Sequence, residues 1–112
     1  MHQTLLVMTN LPDAATAHRI AQRLIERKLA ACANILPGVT SVYRWQGKIE
    51  VASECALWLK TTRVQYDALL QALLEWHPYE LPEVIALPVE RGLPAYLKWI
   101  ETETQADEDP EH

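Results

Sequence analysis

The chain has 112 residues and a mass of 12.8 kDa, the size of one domain, and its 49% apolar and 22% charged residues exclude disorder throughout. Its net charge of −5 belongs to the C-terminus: six acids fall in residues 101–112, while residues 1–100 carry 10 cationic and 9 anionic side chains. A near-neutral body without a Lys/Arg cluster excludes the electrostatic footprint of a nucleic-acid binder.

Residues 4–9 form a short apolar run without alternation, the pattern of a strand buried on both faces. Asn10-Leu11-Pro12-Asp13 is turn chemistry, with Asp13 placed to cap a helix over 14–29 whose apolar stripe is Ala17, Ile20, Ala21, Leu24 and Ile25. A second strand over 30–36 is interrupted by Pro37-Gly38 and resumes over 39–45 after a bulge. Gln46-Gly47 predicts a hairpin turn, and the return strand over 48–61 alternates for its whole length. Thr62 and Gln65 have the spacing of a capping box at the start of a second helix. That helix, with Tyr66, Leu69, Leu70, Leu73 and Trp76 on its apolar face, must stop near His77 because Pro78 follows. Residues 77–82, with two prolines, make a stiff connector to a fourth strand over 83–87, and Pro94 starts a short helix bearing Tyr96, Leu97, Trp99 and Ile100. The order β-α-β-β-α-β plus a helix predicts an α+β, ferredoxin-like split βαββαβ sandwich over residues 1–104, with an acidic, disordered tail over 105–112.

The return strand is too long for its domain. Fourteen residues span roughly 48 Å, against a diameter of roughly 34 Å for a compact chain of this length. The hairpin that must project carries Val42, Tyr43, Trp45, Ile49 and Val51. Free edges and exposed apolar surface of this kind call for a cover, and the simplest is a second copy of the same chain. Self-association through these five residues is therefore expected from the strand length alone.

Catalytic signatures are absent: there is no nucleophile elbow, P-loop or zinc-protease motif, and only three glycines occur. No enzyme is expected. Cys32 and Cys55 lack metal-motif spacing and fit reduced, buried thiols. His77 has two readings, one finishing a helix and the other ligating a metal. Tyr43 and Trp45 suit interface anchors or a stacking surface, and Lys60 suits an anion contact or an edge charge. No run of about 18 apolar residues exists and the N-terminus lacks a leader pattern, so neither a membrane partner nor export is expected, and the cytoplasm is the expected compartment.

Several longer motifs carry a resemblance. Residues 28–43 (with Ala30-Ala31-Cys32-Ala33-Asn34 and Pro37-Gly38-Val39), Trp45-Gln46-Gly47-Lys48-Ile49-Glu50, Leu59-Lys60-Thr61-Thr62, His77-Pro78-Tyr79-Glu80-Leu81-Pro82-Glu83 and Tyr96-Leu97-Lys98-Trp99 resemble the CutA family of divalent-cation tolerance proteins, over residues 4–102. The resemblance implies a PII-like homotrimer assembled through the extended hairpin, and a role in the response to divalent metal ions. Copper, or another divalent cation, is the implied ion, with none needed for folding. The implied ligands are His77, the residue at the end of the first strand, here Met8, and Cys32 as a further candidate. An alternative within the same resemblance is a PII-like module that binds a small molecule or a partner in its inter-subunit cleft, with Lys60, Trp45, Tyr79 and Glu83 as contacts.

Overall fold

In the computed structural model, which describes residues 3–105, the chain runs β1 (Thr4–Leu11), α1 (Ala14–Glu26), β2 (Cys32–Trp45), β3 (Lys48–Thr62), α2 (Arg63–Trp76), β4 (Val84–Pro88) and α3 (Pro94–Glu103). The strands form one sheet in the order β2-β3-β1-β4, with every neighbouring pair antiparallel. β3 is thus inserted between β1 and β2, the two strands joined through α1, and the α+β split plan follows. Residues 106–112, nearly all of the tail read as disordered, lie outside the described residues.

Local chemistry sets most boundaries. Asp13 accepts a 2.7 Å hydrogen bond from the Thr16 N–H and opens α1, which buries Ala17, Ile20, Ala21 and Leu24 against the sheet. The helix ends at Glu26, three residues before its expected end at 29. Lys28 takes a left-handed φ of 59°, its N–H bonds Ile25 O, and the Leu29 N–H closes on Leu24 O at 2.9 Å. No capping box forms on α2. The Thr62 hydroxyl makes no cap bond, and the Gln65 side-chain amide instead donates to Thr104 O at 2.6 Å, tying α2 to the end of α3. On α3 only Ile100 is buried; Tyr96 and Trp99 stack on each other and stay exposed.

The core lies between the sheet and the helices α1 and α2, where Val7, Leu11, Leu24, Leu57, Leu59, Leu69 and Leu73 are essentially sealed from solvent. β1 sends Leu5, Val7, Thr9 and Leu11 into it. Its other face was expected to be buried as well, but Leu6 and Met8 are only half-buried there, and their register partners on β4, Leu87 and Ile85, are 48% and 49% exposed. The chain covers one face of its sheet and leaves apolar surface open on the other around Leu6, Met8, Ile85 and Leu87.

The hairpin projects. Gln46 (φ 49°) and Gly47 (φ 80°) make the two-residue turn with both central residues left-handed, the geometry that matches strand twist. Pairing is interrupted between Leu36 and Val39, where Gly38 has a φ of 80°, and then continues to the tip. The molecule measures 54 × 31 × 23 Å, and its radius of gyration of 15.3 Å exceeds the ~13 Å of a compact chain of this size. The ladder divides the apolar tip residues between two faces. Val42 lies opposite Val51 and Arg44 opposite Ile49; this face continues the helix side of the sheet. Tyr43 lies opposite Glu50 and Trp45 opposite Lys48, on the other. The five residues grouped from sequence as one interface therefore belong to two surfaces.

Gln46 holds a backbone conformation that costs a non-glycine residue about 1 kcal/mol or more, and that Asn tolerates better. Gln46→Asn is expected to raise the unfolding free energy by up to about 1 kcal/mol per chain, measured by urea denaturation.

Candidate functional site

The connector after α2 is anchored by one imidazole. Pro78 ends the helix, and His77, only 8% exposed, turns its ring onto the end of β1. Its Nε2 lies 2.9 Å from Asn10 O and 3.1 Å from Thr9 Oγ1, and its Nδ1 accepts the Tyr79 N–H at 3.2 Å. A carbonyl only accepts and a backbone N–H only donates, so the ring is the neutral tautomer with its proton on Nε2. Burial holds its pKa below the ordinary histidine value, with the Asn10 carbonyl and the charge of Glu54 opposing that shift only in part.

Tyr79 follows from this anchor. Its ring packs at a tilt on His77, 4.9 Å between centroids, and its hydroxyl donates to Glu54 Oε2 at 2.7 Å. Burial, reinforced by the bond to Glu54 and the carboxylate's charge, pushes the phenol well above its usual range, so the hydroxyl keeps its proton and remains a donor. Asn10 extends the anchorage by donating to Glu83 Oε1 at 3.4 Å. Between the connector and the aromatic face of the hairpin lies a cleft of about 500 Å³, lined by Tyr43, Trp45, Ala52, Glu54, Pro78, Tyr79, Glu80 and Leu81.

The residues singled out from sequence are only partly brought together. Trp45 and Tyr79 share the cleft; Glu83 stands beside it on Asn10. Lys60 does not: it lies six positions along β3 from Glu54, roughly 20 Å away. There it donates to Asn34 Oδ1 and sits 3.9 Å from Cys32 Sγ, on the open face of the sheet. Met8 and His77 are on opposite sides of β1, because His77 meets Thr9 and neighbouring strand residues point to opposite faces. Cys32, opposite Lys60 on β2, is separated from β1 by all of β3. Among the described residues no three His, Cys, Asp or Glu side chains converge as a metal cage would require. Both His77 nitrogens are already engaged, so the donors within one subunit do not fit a resident copper ion.

Thr9, Glu54 and Glu80 were missed from sequence. The alternation of β3 does place Glu54 on the face of Trp45, but its bond to Tyr79 is a long-range contact that no local pattern announces.

These features define a ferredoxin-like α+β protein with an overlong hairpin and a connector clamped to the sheet. Residues 5–103 match the family model described as CutA1 divalent ion tolerance protein. The chain is 45% identical over 98 residues to the divalent-cation tolerance protein CutA of Citrobacter koseri, covering 88% of this chain and 85% of the relative. It is 48% identical over 89 residues to a CutA homolog of Xenopus laevis, covering 80% of this chain but 59% of that longer relative. Among solved structures, CutA from Xylella fastidiosa superimposes with a TM-score of 0.88 at 46% identity, over 91% of this chain and 98% of the other. The divalent cation tolerance protein of Thermus thermophilus does so with 0.89 at 40% identity, over 91% and 99%. The chain belongs to the CutA1 family of divalent-ion tolerance proteins.

His77 makes stability depend on pH with a definite sign. Its folded pKa is depressed, so its full contribution is present above the unfolded value of ~6.5 and is lost as pH falls through the folded pKa. Urea midpoints are expected to fall as pH is lowered below ~6.5. In His77→Gln that decline should flatten, while stability at pH 7.5 drops by about 1–3 kcal/mol for the broken buried bonds.

Proposed function

We propose that the chain serves divalent-cation tolerance as a homotrimeric, cytoplasmic binding protein with no catalytic step, whose single subunit holds no resident copper ion. One observation carries the reading: Val42, Ile49 and Val51, 67–70% exposed in one subunit, form an apolar face beyond the reach of its own helices. Burying each fully is worth about 1.5–3 kcal/mol, so a covering copy recovers most of that. The open sheet face with Leu6, Met8, Ile85 and Leu87 supports the same reading. The engaged state of His77 supports the second part. The two unbridged cysteines suit a reducing compartment.

Light scattering on a sizing column is expected to give a trimer. Val51→Asp should dissociate it, since an unpaired interfacial charge costs about 2–5 kcal/mol; a monomeric parent chain would refute the assembly. Native mass spectrometry with added Cu(II) tests the metal. His77→Gln should leave copper uptake unchanged, and a loss of about tenfold or more would make His77 a ligand and overturn that part.

A further inference from the structure

We propose that the cleft between the hairpin and the connector is a binding site for an organic ammonium cation. Three aromatic rings line it, Tyr43, Trp45 and Tyr79, together with the carboxyl groups of Glu54 and Glu80. No Lys or Arg side chain is among its lining residues. Aromatic walls with carboxylates attract a cation through the ring quadrupole and by charge, and a bulky, weakly hydrated ammonium loses less on entering than a compact metal ion does. Two carboxylates fall short of the six or more oxygens that calcium takes, and among the described residues no third acid completes a metal-holding group with them.

The site is also built rather than incidental. His77 clamps the connector to β1 through Asn10 and Thr9 and fixes the Tyr79 backbone. The Tyr79 hydroxyl in turn holds Glu54 Oε2, while Glu54 Oε1 accepts no hydrogen bond among the described residues and is left for a ligand. Tyr43 and Trp45 are 44% and 37% exposed, so the mouth of the cleft is open in the single chain. All these groups belong to one chain and lie on the hairpin face opposite Val42, Ile49 and Val51.

Choline is the probe, its neutral isostere 3,3-dimethyl-1-butanol the control, and the Trp45 indole N–H resonance of the full-length protein the readout, assigned by its loss in Trp45→Phe. Choline should shift that resonance saturably, with an affinity at least about tenfold above that of the alcohol. Glu54→Gln keeps an acceptor for Tyr79 but removes the charge, and it should weaken choline binding about tenfold with the melting temperature unchanged. Absence of a saturable shift, equal binding of the alcohol, an unaltered affinity in Glu54→Gln, or the same shift from MgCl2 at equal ionic strength would each overturn the proposal. Sedimentation of the same sample reports assembly separately, so a monomer that binds choline would remove the trimer and leave this site standing.

Discussion

The rest of the molecule depends on the antiparallel ladder between β2 and β3. Strands of 14 and 15 residues reach roughly 50 Å. The helices that pack on the sheet have 13 and 14 residues, each roughly 20 Å long. More than half of the ladder therefore lies beyond the reach of those two helices. The ladder stays paired to its tip, through the bulge at Gly38 and the Gln46-Gly47 turn, so the extension is a feature of the sequence and not a frayed end. What the helices cannot cover carries apolar side chains on both sides, and the two sides differ in chemistry. Aliphatic side chains occupy the face that continues the core, and aromatic ones the face that meets the connector.

The connector is the second fixed point. A segment with two prolines and no regular hydrogen-bonding pattern needs anchors, and it finds them in polar groups buried at the end of β1. His77 suits that role because a neutral imidazole donates on one side and accepts on the other, satisfying a carbonyl and an N–H at once. The same double use removes it from metal chemistry within the subunit. The histidine, the tyrosine and Glu54 act as a chain: the first sets the second, and the second sets the third.

Most of the fold was legible in the sequence because its signals are local. Asp13 before an apolar stripe, Pro37-Gly38 in a strand, Gln46-Gly47 between alternating runs and Pro94 ahead of Tyr96 each dictate a boundary through backbone chemistry. The overlong strand was legible from arithmetic. Errors arose where tertiary contacts outbid local ones. Gln65 bonds Thr104 instead of completing a box. A local turn at the left-handed Lys28 ends α1 short of its expected end at 29. The site was less legible. Trp45 and Tyr79 line one cleft within the chain, whereas the expectation was a cleft between subunits; parity on β1 separates Met8 from His77, and distance along β3 removes Lys60. Such placements depend on register between strands far apart in the chain, which a single sequence does not state.

In the trimer proposed above, a chain with this ladder is completed by copies of itself. Sedimentation equilibrium over a dilution series into the low micromolar range measures it without reference to any ligand. One species of about three times the 12.8 kDa chain mass, unchanged on dilution, is expected. A species at the single-chain mass, soluble and stable with Val42, Ile49 and Val51 open to water, would contradict it.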